Sequence, residues 1–340
     1  MLGHGNRSTL SRSSSRGPQK REDGVSRRAE GNRGKRVAQT RWLTTAGIAF
    51  VLAAMSAGCG AHGTGSVAAA GSATGGAAVP AAGSATGGAA GYWTEGRLLG
   101  AEPSRRWRLA ASQASPTATP SAHSPVIAAP RVGALFSRSA SGNHFCTASV
   151  VASPGHDLLI TAAHCINGGK GGGYNQDIVF IPGYEDGDEP FGVWTVSKLL
   201  VDQDWTTASD PDYDVGFVVL NPNGGKNIQD VLGANEIAFN AGYTNLVRVT
   251  GYPSSADAPV TCLNRTSMQS ATQVRFDCGG FFGGTSGSPW VTDFDPQTRT
   301  GHIVGVIGGY QEGGDTDSIS YSVYLNDGIR SLYEQAVALG

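Results

Sequence analysis

Leu158-Leu159-Ile160-Thr161-Ala162-Ala163-His164-Cys165 joins an apolar run directly to a histidine and a cysteine. The apolar run Leu158-Leu159-Ile160 reads as a strand. Such a strand delivers His164 to a tight turn, and a bonded Cys165 would pin that turn. A histidine held there can serve as a general base near neutral pH. Alone, a histidine beside a cysteine is more often structural.

Reading outward, short β-rich runs alternate with Gly/Asn/Asp/Pro turns from about Val126 to Gly340. The expected strands are Phe145–Val151, Leu158–Thr161, Asp177–Ile181, Val193–Val201, Val215–Leu220, Leu246–Gly251, Gln273–Asp277, Ser288–Val291, His302–Ile307 and Ser318–Tyr324. That texture predicts an all-β sandwich or barrel. About 210 residues suffice for one large β domain or two packed barrels. Asn326 predicts a cap for a C-terminal helix, with Ile329, Leu332, Tyr333 and Val337 near one face.

Two further stretches carry chemistry. In Asp210-Pro211-Asp212-Tyr213-Asp214, the last carboxylate abuts Val215-Gly216-Phe217-Val218-Val219-Leu220, which is apolar on both faces. Asp214 is therefore expected to be buried, which is costly unless it accepts hydrogen bonds. Orienting a histidine fulfils that need; a plain turn-to-strand boundary is the other reading. Gly283-Gly284-Thr285-Ser286-Gly287-Ser288-Pro289 places glycines on both sides of Ser286. Their conformational freedom lets the amides of Gly284 and Ser286 point into one small site. It is not the nucleophile elbow of α/β-hydrolases, because Ser288 stands where a second glycine is needed.

TAAHC, DYDVGFVVL and GTSGSP, in that order, resemble the three catalytic motifs of the trypsin/chymotrypsin-like serine proteases. GTSGSP in place of GDSGGP is similar to the bacterial glutamyl-endopeptidase-like branch. The resemblance spans about residues 130–340. It implies two packed antiparallel β-barrels (chymotrypsin-like), to which the sequence itself adds a C-terminal helix and, before the domain, a disordered N-terminal region. It also implies acyl transfer by His164, Asp214 and Ser286, with Gly284 and Ser286 as the oxyanion hole. The substrate pocket would include Gly280, Phe281, Ile307, Gly308 and Gly309. No acid stands in 279–282, which argues against a Lys/Arg preference, and Ile307 stands where glutamyl-specific members carry a histidine. An apolar or small residue before the cleaved bond is expected instead. Thr285 replaces the Asp that the trypsin branch uses for activation, so that switch is expected to be absent.

Cys59 lies outside the β-rich part, which leaves Cys146, Cys165, Cys262 and Cys278 with three possible pairings. Cys146–Cys165 and Cys262–Cys278 are expected, because each closes a short hairpin-sized loop. No metal or cofactor is expected: His144, His156 and His302 lack paired ligand spacing and there is no HExxH.

The charge balance divides the chain. Residues 1–41 carry 11 Lys/Arg against 3 Asp/Glu, and residues 131–340 carry 10 against 22, so the overall −2 describes neither. A domain of net −12 is a poor match for nucleic acid. Residues 1–41 read as a basic leader and 42–59 as a signal-peptide core, too short for a membrane span. Ser56-Ala57-Gly58-Cys59 resembles a bacterial lipoprotein signal, with Ser56 where Leu is preferred. Lipidation of Cys59 would tether the chain outside the membrane; otherwise Cys59 is removed with the signal. Residues 60–125 are Ala/Gly/Ser-rich, with GSATGGAA at 71–78 and again at 83–90. They read as a disordered linker or propeptide before a protease domain at 126–340. The function expected is a secreted or lipid-anchored serine endopeptidase acting on proteins or peptides as a monomer. The alternative is a catalytically silent, protease-like binding module at the cell surface.

Overall fold

The computed structural model describes residues 76, 79–80, 88–104 and 130–340. The basic leader, the signal core with Cys59, and residues 105–129 lie outside the described residues. An N-terminal arm carries β1 (Val79–Pro80), α1 (Gly88–Tyr92), α2 (Glu95–Leu99) and β2 (Glu102–Pro103). Then follow β3 (Val132–Ser139), β4 (Gly142–Val151), β5 (Leu158–Thr161), β6 (Gln176–Pro182), β7 (Trp194–Val201), α3 (Gln203–Ala208) and β8 (Gly216–Leu220). These six strands run in the order β7-β6-β3-β4-β5-β8, and β8 pairs back to β7, which closes a barrel.

The second half holds α4 (Ile228–Leu232), β9 (Glu236–Ile237), β10 (Leu246–Gly251), β11 (Val260–Met268), β12 (Gln273–Asp277), β13 (Pro289–Asp295), β14 (Thr300–Val306) and β15 (Ile319–Val323). Its sheet runs β15-β12-β11-β10-β13-β14-β9. The chain beyond β14 bends to meet β15: Gly308 N–H donates to Tyr321 O, and Ser322 Oγ accepts from Val306 N–H at 2.9 Å. The second half thus curls nearly shut without a continuous ladder. α5 (Asp327–Val337) closes the chain, with Asn326 Oδ1 accepting from Gly328 and Ile329 N–H as the sequence predicts. The fold is chymotrypsin-like, as expected.

Period-2 alternation explains why strands read as apolar on both faces. Leu159 and Val218 point into the barrel with Leu135, Phe180 and Trp194. Their neighbours Leu158, Ile160, Phe217 and Val219 pack outward on Val291, Ile303, Val323 and the buried face of α5. β5 and β8 are thus central to two cores at once.

Two strands and the N-terminal arm are the largest departures from the sequence expectation. β3 went unassigned, because Gly133 weakens its strand signal. That glycine is required: a Cβ there would sit 2.5 Å from Ile181 O. β11 went unassigned because Leu263, Arg265 and Ser267 leave one face wet and Asn264 breaks the apolar pattern of the other. The third is the arm. Residues 88–104 fall inside the segment read as lacking structure, yet Trp93 and Leu98 are 7 % and 5 % exposed in a cluster with Phe136, Ile181 and Tyr184. A few large apolar residues, diluted in an Ala/Gly-rich average, suffice to dock it.

Candidate active site

β5 ends at Thr161, and a single 3-10 turn over Ala163–Cys165 follows. Cys165 is bonded to Cys146 of β4, and Cys262 to Cys278, the two pairings expected from loop length. Cys146, His164 and Cys165 offer donor atoms close together. Both sulfurs belong to one disulfide, so neither is a thiolate able to ligate a metal.

Asp214 ends a 3-10 turn over Pro211–Tyr213, just before β8, and is fully buried. Its Oδ1 accepts from His164 N–H at 2.9 Å. Its Oδ2 lies 2.8 Å from His164 Nδ1 and also accepts from Gly309 N–H at 2.9 Å. Three donors answer the cost of burying a carboxylate. A carboxylate only accepts, so the ring proton is on Nδ1 and the lone pair is on Nε2. Burial first, and then the carboxylates of Asp204, Asp202, Asp210 and Asp212, push the neighbouring Tyr213 phenol above its ordinary value.

Ser286 lies in the loop before β13, 5 % exposed. Gly284 and Gly287 have φ of +96° and +83°, the left-handed region expected of them. Thr285 is spent locally, its hydroxyl donating to Phe282 O at 2.8 Å. Ser288 Oγ donates to Thr285 O, and Gly287 N–H donates to Ile307 O at 2.7 Å. Among the described residues, the amides of Gly284 and Ser286 donate no backbone hydrogen bond. Both are therefore available to a ligand oxygen.

Two positioning residues carry no motif signal. Thr147 N–H donates to Ser286 O at 2.8 Å, and its hydroxyl donates to Gly284 O at 3.0 Å. β4 thereby clamps both ends of the Gly284–Ser286 segment. Gln273 Nε2 donates to Pro211 O and Asp212 Oδ1, while its Oε1 accepts from Tyr310 N–H. It ties the Asp214 turn to the segment that carries Gly309. Only the folded register of β4 and β12 brings these two residues to the site.

Of the five residues assigned to the substrate pocket, Phe281 and Ile307 line a small recess beside Ser286, with Phe282, Glu312, Gly314 and Ser320. Gly280, Gly308 and Gly309 are not on its wall. Gly308 instead packs behind Asp214, where a Cβ would meet Asp214 O at 2.8 Å, and Gly309 supplies the third donor to that carboxylate. Glu312 on the wall was not foreseen, because it belongs to a loop distant from the nucleophile in sequence.

Gly287 tests the rigidity of this construction. A Cβ there would collide with Thr147 O and the Thr161 hydroxyl. Gly287→Ala is expected to lower stability by at least about 1–3 kcal/mol, the cost of a forced positive φ before any clash. Thermal unfolding of the purified variant measures it, and an unchanged midpoint would contradict the loop geometry.

The trypsin family model matches residues 122–326, more than half of the chain. The chain belongs to the trypsin family of chymotrypsin-like serine proteases. The protease Anisep from Arthrobacter nicotinovorans is similar at 27 % identity and a TM-score of 0.56, over 62 % of this chain and 96 % of that one. The thermostable serine protease AL20 from an extremophilic microorganism is similar at 27 % identity and 0.58, over 64 % and 100 %. A Glu endopeptidase shares the fold at 16 % identity and 0.50, over 64 % and 95 %. Comparison with curated proteins gave no match.

Proposed function

We propose that this chain is an exported serine endopeptidase that hydrolyses peptide bonds through His164, Asp214 and Ser286. The reading rests above all on one observation: a fully buried Asp214 receives both the backbone and the ring N–H of His164. That arrangement fixes the ring and its tautomer, which a merely structural histidine does not require.

In the proposed reaction, Ser286 Oγ attacks the carbonyl carbon while His164 Nε2 takes its proton. Asp214 stabilises the imidazolium. The Gly284 and Ser286 amides hold the developing oxyanion. The leaving amine then collects the proton, and water repeats the sequence on the acyl-enzyme. The recess at Phe281 and Ile307 is suited to an apolar or small side chain before the cleaved bond. Export is supported by the 42–59 signal core and by two disulfides, which persist in oxidising compartments. Cys59 would add a lipid tether to the outer face of the membrane.

A fluorophosphonate probe applied to the folded full chain is expected to bond to Ser286 alone, read by mass spectrometry of the digest. Heat-denatured protein should take up none. A folded chain that forms no adduct would instead be a silent binding module on a protease frame.

A further inference from the structure

The arm is an addition to the shared domain. The two proteases at 27 % identity match nearly their whole length with 62 % and 64 % of this chain, about the share that residues 130–340 make up. It is nonetheless docked. Trp93 Nε1 donates to Asp177 O, its ring lies 5.4 Å from that of Phe136, and Tyr92 OH donates to Asn143 Oδ1 at 2.8 Å.

The contacts of residues 102–104 are the informative part. β2 lies parallel to β4, with Glu102 opposite His144 and Pro103 opposite Phe145. Ser104 N–H donates to Phe145 O at 3.2 Å, and Ser104 Oγ is 2.9 Å from Cys146 Sγ. The next residue of β4 is Thr147, which holds Ser286, and Cys146 is bonded to the neighbour of His164. The Phe145 ring also fills the space that a Cβ on Gly284 would need. Residues 102–104 of the arm therefore lie on the strand edge beside the Ser286 loop, on the flank formed by Phe145 and Tyr252. The recess of Phe281 and Ile307 forms the other flank. A substrate whose acyl side enters that recess must lay the residues after its cleaved bond toward Phe145.

The attachment at this edge is slight. A two-residue parallel pairing is a weak one, and Pro103 has no N–H to give. Beneath it a cavity of about 210 Å³ is lined by Leu98, Pro103, Phe136, Phe145, Tyr184 and Tyr252, among others. The apolar anchors Trp93 and Leu98 hold the arm, while its strand end occupies a hydrogen-bonding edge that any extended chain could use.

Resting on the peptidase reading above, we infer that residues 88–104 are a displaceable internal ligand of the active-site cleft. They compete with polypeptide substrates for the β4 edge at His144–Cys146. The arm excludes chains that extend past the cleaved bond and leaves short substrates unhindered.

The test compares the full chain with its Trp93→Ala/Leu98→Ala variant, using rates per fluorophosphonate-titrated site. One substrate is an acyl p-nitrophenyl ester that ends at the cleaved bond. The other is a quenched peptide running three residues beyond it. The variant is expected to raise kcat/KM on the extended peptide about tenfold, through KM, as the competent fraction of open clefts rises. The ester rate should stay within about twofold by the same reasoning. A synthetic peptide of residues 88–104 should then inhibit cleavage of the extended substrate competitively. Ser104→Pro, which deletes the N–H given to Phe145 O and the hydroxyl beside Cys146 Sγ while leaving the Trp93 and Leu98 anchors in place, provides a second variant expected to move the same way if the double variant does not fold. Labelled enzyme with no gain on the extended peptide, or an equal gain on the ester, overturns the inference alone. A full chain that takes no label at Ser286 overturns the peptidase reading and this inference with it.

Discussion

Ser286→Ala is expected to lower peptide turnover by about 10⁶-fold, the size of effect seen when the nucleophile of a serine protease triad is removed. The residue left behind has no atom able to form an acyl-enzyme. The oxyanion amides of Gly284 and Ser286 remain, so a residual rate of about 10³–10⁴ over water is expected. The fold should be untouched. The backbone carbonyl of residue 286 still accepts from Thr147 N–H. No side-chain hydrogen bond from Ser286 to another described residue supports the loop. The unfolding midpoint should therefore stay within about 2 °C, the range of a surface-like change well under 1 kcal/mol. Turnover of a quenched peptide and differential scanning calorimetry on the same preparation separate the two outcomes. Retained turnover would remove Ser286 from the reaction. Lost turnover with a large fall in midpoint would make the result a folding defect.

Much of this site is legible in the sequence because each catalytic candidate is attached to a local pattern. His164 follows a strand buried on both faces, Asp214 precedes another, and Ser286 sits between glycines whose φ values prove positive where expected. The cysteine pairing follows from loop length. What escapes is set by register across distant strands. Thr147 and Gln273 act through backbone and amide contacts made only once β4 lies against the nucleophile loop and β12 against the Asp214 turn. Gly308 and Gly309 read as pocket residues through the family resemblance, yet their lack of side chains serves close approach to Asp214. The arm escapes for a different reason. Composition averages over a window, whereas docking is decided by single residues, and Trp93 with Leu98 outweighs the Ala/Gly background around them.

Asp214→Asn carries the second largest effect, and its geometry dictates the mechanism of loss. The carboxylate uses two oxygens to receive three donors: His164 N–H on one, and His164 Nδ1–H with Gly309 N–H on the other. An asparagine has one acceptor oxygen and an NH₂ group. If the NH₂ takes the Oδ2 position, it confronts two N–H donors. The imidazole relieves one clash by moving its proton to Nε2, so that Nδ1 accepts. The lone pair that should take the Ser286 proton is then gone. If the amide flips, the NH₂ faces His164 N–H and the backbone that positions the ring loses its anchor. Either arrangement also removes the charge that stabilises the imidazolium. Turnover at neutral pH should fall about 10⁴-fold, as a wrong-tautomer triad does. Stability should fall by about 1–3 kcal/mol for the buried donor left unsatisfied. The rate of fluorophosphonate bonding at Ser286 should fall along with turnover, because both need the same proton acceptor. A variant that keeps its labelling rate within about tenfold, about 1.4 kcal/mol of barrier, would show that Asp214 merely packs against His164.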